Sequence, residues 1–126
     1  MHKSRLGALV IDCRTEDLAE ATAFWTGALG YDVAPGQPDP DDRYVSLTGP
    51  GGEVKIILQK VDHDSRVHLD IESDDIDAEV ERLVGLGATE VARIKGWVVL
   101  EAPSGHRFCV VKPQRADFAV NANPHA

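Results

Sequence analysis

YVSLTGPGGEVKIIL (Tyr44 to Leu58) and WVVLEAPSGHRFCVV (Trp97 to Val111) are the two stretches on which the reading of this chain turns. Set at a shift of 53 residues, from Tyr44 to Trp97, aromatic lies on aromatic and Val45 lies on Val98. Leu47 then lies on Leu100, Pro50 on Pro103 and Gly52 on Gly105. Each copy reads as strand, turn, strand, because Pro and Gly supply a turn and apolar or branched runs flank it. Upstream the match continues. RLGALVIDC (Arg5 to Cys13) lies over SRVHLDIES (Ser65 to Ser73) at a shift of 60, each an extended run with apolar alternation.

Helical periodicity follows both runs. The spacing of Leu18, Ala21, Phe24, Trp25 and Leu29 predicts a helix near Glu16 to Leu29. Thr15 is its expected cap, with Glu16 and Asp17 in the first turn, where the helix dipole favours acid. A second helix is expected near Asp75 to Leu86, with Ile76, Val80, Leu83 and Val84 on one face and Ser73 or Asp74 as cap. Both stop at a Leu-Gly pair, Leu29-Gly30 and Leu86-Gly87, where glycine takes a left-handed capping conformation. YDVA and TEVARI then read as strands. The chain is therefore strand, helix, three strands, written twice. The first copy is longer, chiefly in the acidic, turn-rich loop PGQPDPDD over 35–42, expected to form a mobile rim. DHDS, Asp62 to Ser65, links the halves. We expect one domain over 1–126, with module 1 about 5–60, module 2 about 65–113 and a tail over 114–126.

A chain of 126 residues is long enough to bury a real core. Thirteen basic against 21 acidic residues give a formal net charge of −8, which argues against nucleic acid as a partner. No basic amphipathic helix offers itself to a membrane surface, and no apolar run approaches the ~20 residues of a bilayer span. The opening MHKSRLGALVIDC reads as a first strand rather than a leader, since Asp12 interrupts a short apolar run. Cys13 and Cys109 fall inside strand patterns, which points to small buried hydrophobes in a reducing cytoplasm.

HLDIESDDIDAEVERLVGLGATEV followed by WVVLEAPSGHRFCVV, inside a twice-written strand-helix-three-strand unit, resembles the vicinal oxygen chelate superfamily. That superfamily contains glyoxalase I, bleomycin-resistance proteins and extradiol dioxygenases, and the chain looks most like its small bacterial glyoxalase-like domain proteins. The likeness covers about Arg5 to Pro113. It implies an α+β fold in which each βαβββ module curls into a half-barrel around a cavity with its helix outside. It also implies a homodimer, and, in members that bind divalent metal, ligands at inward-facing positions of each module's first and last strands. Those positions fall on Ala8, Ile56, His68 and Cys109. Hydrocarbon side chains at two of them, Ala8 and Ile56, leave too few donors for a stable ion, so no cofactor is expected. A divalent metal is the alternative, with Asp12, Asp70 or Glu72 as substitute ligands.

VHLDIE (Val67 to Glu72) carries the candidate chemistry, since alternation puts His68, Asp70 and Glu72 on one face. His68 has three readings: a satisfied polar group in a wet cavity, a ligand contact or general base, or a relic of metal ligation. Asp70 is its natural orienting partner. Cys109 is a core cysteine or a cavity-facing thiol; Trp97 and Tyr44, at matched positions, pack at strand starts or clamp a flat ligand. Asp12 lies on the face of Ala8. Lys55 and Arg107 are solvated charges or anion contacts. The tail, with Phe118 and Val120, packs over the barrel mouth or a neighbouring subunit, or it frays. The function expected is binding of a small organic molecule in the cavity, with His68 as the catalytic candidate. The alternatives are a metal-dependent lyase, isomerase or dioxygenase, and a drug-sequestering resistance-type protein.

Overall fold

A computed structural model describes residues 1–36 and 43–126, so most of the loop expected over 35–42 lies outside the described residues. The chain divides into two compact units, Ala8–Val67 and Met1–Gly7 with His68–Ala126. In the first unit the elements are β1 (His2–Arg14, from Ala8 on), α1 (Ala19–Leu29), β2 (Asp32–Val33), β3 (Tyr44–Thr48) and β4 (Lys55–Val61). β1 runs parallel to β4, β3 antiparallel to β4, and β2 antiparallel to β3. The second unit holds most of β5 (Arg66–Ser73), with α2 (Ile76–Gly85), β6 (Thr89–Ile94), β7 (Trp97–Glu101) and β8 (Arg107–Val111). Here β5 is parallel to β8, β7 antiparallel to β8, and β6 antiparallel to β7. First strand, last strand, third, second: both units share that order, and the fold is α+β with two βαβββ modules.

Each unit has its own core. Leu18, Tyr31, Leu47, Ile56 and Leu58 form the first, with Leu9, Ile11, Ala21 and Trp25 packed on it. Val80, Leu83, Val98, Leu100 and Val110 form the second, with Ile71, Ile76 and Phe108. Each fully buried aliphatic chain contributes roughly 1.5–3 kcal/mol. Gly49 is required by the first core: a Cβ there would stand 2.5 Å from the Tyr31 ring. That ring is held in place by its hydroxyl, which donates to the Val54 carbonyl at 2.8 Å.

Both helices begin later than their spacing predicts, and side chains explain why. Thr15 accepts from the Asp17 N–H and Asp17 accepts from the Ala19 N–H, so a separate turn precedes α1. Leu18 is buried, but Phe24 is 62% exposed and, among the described residues, none of α1 is fully buried. α2 is capped by Asp75, whose carboxylate accepts from the Ala78 N–H at 3.0 Å. The expected caps are used elsewhere: Asp74 accepts from the Lys3 N–H, and Ser73 donates to the Lys3 carbonyl. Gly30 does end α1 in the left-handed region, at φ 70°.

The tail does not fray. It forms α3 (Phe118–Asn121) and β9 (Asn123–His125), and β9 pairs antiparallel with the start of β1, His125 opposite His2. Behind this pairing Glu79 is fully buried. It takes His2 Nε2 at 2.8 Å and both Nε and Nη2 of Arg82 at 2.8 Å. Burial alone would push this carboxyl up, but hydrogen bonds from Arg82, His2 and Ser4 outweigh it and hold the value at about 2, below the usual 4.5. The sign follows: this stabilisation is present above pH 4.5 and is lost as pH falls toward 2. Wild-type melting temperature therefore drops through that window more steeply than that of Glu79→Gln. Parallel curves would contradict the pairing.

Candidate functional site

β5 presents His68 and Asp70 on one face, because its other face sends Ile71 into the α2 core. β8 does the same: Phe108 and Val110 pack inward, leaving Cys109 on the face of His68. Parallel pairing sets Asp70 directly opposite Cys109. One ligating atom from each of His68, Asp70 and Cys109 then lies within 4.8 Å of the others. His68 Nε2 stands 3.5 Å from Asp70 Oδ1, and both side chains are 15% exposed. The cluster is sheltered yet reachable. An imidazole, a carboxylate and a thiol meeting at one point can move a proton, grip a polar group, or hold a cation.

The other sequence candidates are placed as follows. Trp97 pairs with Val111 and Val99 with Cys109, so the indole shares the face of Cys109, one same-face step along the strand. Tyr44 and Asp12 belong to the other unit. There Asp12 is 2% exposed, with Arg66 Nε at 3.6 Å from its Oδ2. Tyr44 is opposite Gln59, whose amide donates to its hydroxyl at 3.5 Å. Arg107 is paired with Glu101 at 3.0 Å, and Lys55 is half-buried opposite Ala8.

One expected position needs correction. Ile56 is not on the face of Ala8; it is buried against Leu18 and Leu47 in the first core. The register gives the reason. Leu47 pairs with Ile56 across a turn of eight residues (48–55), whereas its counterpart Leu100 pairs with Phe108 across seven (101–107). One additional residue in the first hairpin slides β4 by one, and a one-residue slip exchanges the faces of a strand. The place matching Cys109 is Ile57, which pairs with Val10 as Cys109 pairs with Asp70.

Glu72 is a residue whose role the sequence concealed. On the face of His68 it reads as a spare ligand, but it is fully buried and fully engaged. Oε1 accepts from Arg5 Nε at 2.7 Å, and Oε2 accepts from the Gln114 and Arg115 backbone N–H groups at 2.7 and 3.2 Å. A Cβ on Gly7 would approach its side chain to 3.1 Å. Arg5, sharing its strand parity with Gly7, was the available signal for a buried ion pair.

Ala8 and Ile56 or Ile57 offer no donor, so the four-position arrangement implied by the resemblance is not present. His68, Asp70 and Cys109 nonetheless fit a three-ligand site. Their donor atoms lie within 4.8 Å of one another, wider than the separation of tetrahedral ligands on one ion at ~2.0–2.3 Å, so the side chains would have to close in to share it; the nitrogen, oxygen and sulfur set itself suits zinc, with a fourth position open.

A βαβββ unit repeated with one strand order, and a donor cluster on the first and last strands of the second copy, define the class of the protein. The model of the glyoxalase-like domain matches residues 8–111, and the chain belongs to that family, within the vicinal oxygen chelate superfamily. Solved structures share the fold. Methylmalonyl-CoA epimerase from Mycobacterium tuberculosis is similar at 19% identity and a TM-score of 0.63, with 91% of each chain covered. A hypothetical protein from Bacillus halodurans is similar at 14% identity and a TM-score of 0.66, covering 89% of this chain and 96% of its own. Streptomyces coelicolor methylmalonyl-CoA epimerase, in complex with 2-nitronate-propionyl-CoA, is similar at 17% identity and a TM-score of 0.57, with 88% and 98% covered. No curated protein matches the chain. Among the described residues no helix is long and apolar enough to cross a membrane.

Proposed function

We propose that the chain binds a small organic molecule against the wall made by β5 and β8, and that His68 moves a proton to or from it. The convergence of His68, Asp70 and Cys109 on a half-buried face carries this reading. An imidazole carries both a donor and an acceptor nitrogen, which suits it to take up a proton and give one back. Asp70, at 3.5 Å, orients the ring and steadies the positive charge formed when it is protonated. Cys109 supplies a small polarisable neighbour to the ligand. Similar folds support the reading: one solved relative holds 2-nitronate-propionyl-CoA. Thermal-shift screening of small carbonyl and aromatic compounds tests it. Compounds that raise the melting temperature of the wild type are expected to lose that effect on His68→Ala. Equal stabilisation of both proteins would contradict it.

The donor set favours a second reading, in which His68, Asp70 and Cys109 hold a zinc-class ion. When bound, such an ion supplies Lewis-acid polarisation of an oxygen. This chain's residues would fix its position, and Cys109 would favour soft or borderline metals over magnesium or calcium. Added zinc at a hundredfold over its Kd then stabilises the fold by about 2.7 kcal/mol. Cys109→Ser is expected to remove most of that gain. A zinc response that survives this substitution would place the ion elsewhere.

A further inference from the structure

The β5–β8 wall continues into an apolar strip, and strand register fixes what lies on it. Ile94 pairs with Trp97 and Trp97 with Val111, so these three stand side by side across β6, β7 and β8 on the face of Cys109. The next row on that face is Ala92, Val99 and Cys109, and parallel pairing adds Asp70 at its end. Neighbouring rows of one face are two residues apart, ~7 Å. An exposed indole therefore stands one row from the point where His68, Asp70 and Cys109 converge.

We infer that Trp97 selects the ligand of this wall, and that the ligand is an aromatic carbonyl compound with its ring against the indole and its oxygen at the His68 cluster. This rests on the proposed function and names the substrate class that the wall takes. Trp97 is 36% and Ile94 44% exposed, so two large apolar side chains stay open beside a few convergent polar groups, the usual make-up of a ligand site. In the row between them and Asp70, Ala92 and Val99 are short and half-buried, which leaves a floor beside the indole. Glu72 pairs with Val111 and ends the strip, but its charge is already spent on Arg5. In the other direction the row after Cys109 holds Glu101 and Arg107, paired with each other at 3.0 Å, so the Trp97 side is the apolar end. An indole gains most from a second flat ring, offset-stacked or edge-on, whereas a saturated group gains only burial. An imidazole and a thiol each carry a hydrogen that a carbonyl oxygen accepts. A ring joined to its carbonyl directly or through one carbon spans a single row.

The test uses the full chain, ¹⁵N-labelled, with 2-tetralone as probe and 2-decalone, the same skeleton without an aromatic ring, as comparator. Its two tryptophans give two indole N–H signals, and Trp25→Phe tells them apart. Trp25 packs on the other unit's core and serves as the internal control. The ring signals of His68, assigned with His68→Ala, report the cluster separately. The Trp97 and His68 signals are expected to shift together and saturably with tetralone while Trp25 stays still. Decalone is expected to bind about tenfold more weakly, the scale of one aromatic pair. Trp97→Leu keeps apolar bulk without the indole and is expected to bring tetralone down to the level of decalone. If tetralone moved His68 but not Trp97, or if both ketones bound equally to the wild type, the wall would remain the ligand site and the aromatic assignment would be overturned. Undiminished tetralone binding by Trp97→Leu overturns the role of the indole. Silence of both signals overturns the assignment as well, and the thermal-shift comparison with His68→Ala then decides whether the wall itself falls.

Discussion

Glu72→Ala lowers the unfolding free energy by about 3–5 kcal/mol, the usual cost of removing one partner from a buried charge pair. Three donors lose their acceptor together: Arg5 Nε and the backbone N–H groups of Gln114 and Arg115. Arg5 has a side chain only 8% exposed, so its charge cannot simply rehydrate. Asp117 bonds its other arm at 2.6 Å, but that carboxylate is half-exposed and compensates little. Glu72→Gln rescues incompletely, because the amide NH₂ would meet the Arg5 donor. A domain of this size has a total stability of roughly 5–15 kcal/mol, so the loss is a large fraction of it. Urea unfolding measures it directly. A loss below about 1 kcal/mol would show the carboxylate to be worth no more than a surface pair. The cut backbone bonds also release the segment leading to α3 and β9, so the tail is expected to become the first site of limited proteolysis.

His68→Ala gives the largest expected effect on function. General acid–base groups contribute typically 10²–10⁴-fold, so exchange of an acidic C–H proton on any ligand found by screening should slow by that order in D₂O. Asp70→Asn keeps the shape beside His68 but removes the charge at 3.5 Å, and its loss should be smaller. Proton NMR of the ligand follows both. If His68→Ala exchanged protons at the wild-type rate, the imidazole would be a bystander.

Much of the architecture could be read from the duplicated hairpin. Pro50 and Pro103, Gly52 and Gly105 mark turns that the two units share, and identical strand order follows. What the pattern could not show was local accounting of hydrogen bonds. Ser73 and Asp74 look like caps, yet they are occupied by Lys3, seventy residues away, so Asp75 caps α2 instead. The repeat also hides an inserted residue: a match anchored on Pro and Gly carries straight through the first turn and assigns Ile56 the wrong face. In the site, the shared face of His68, Asp70 and Cys109 followed from alternation alone. Their meeting within 4.8 Å did not, because residues two apart on a strand lie ~7 Å apart in backbone and only the side-chain directions close the gap. Glu72 illustrates the opposite failure. The same alternation placed it among the chemical groups, while its buried partners made it structural.

The claim on which the rest depends is that the β5–β8 wall is where this protein holds its ligand. A crystal structure with a compound selected by thermal shift tests it most directly. The account predicts density for the compound in contact with His68 and Cys109. A compound seated elsewhere, with the imidazole and thiol touching only protein or water, would contradict it.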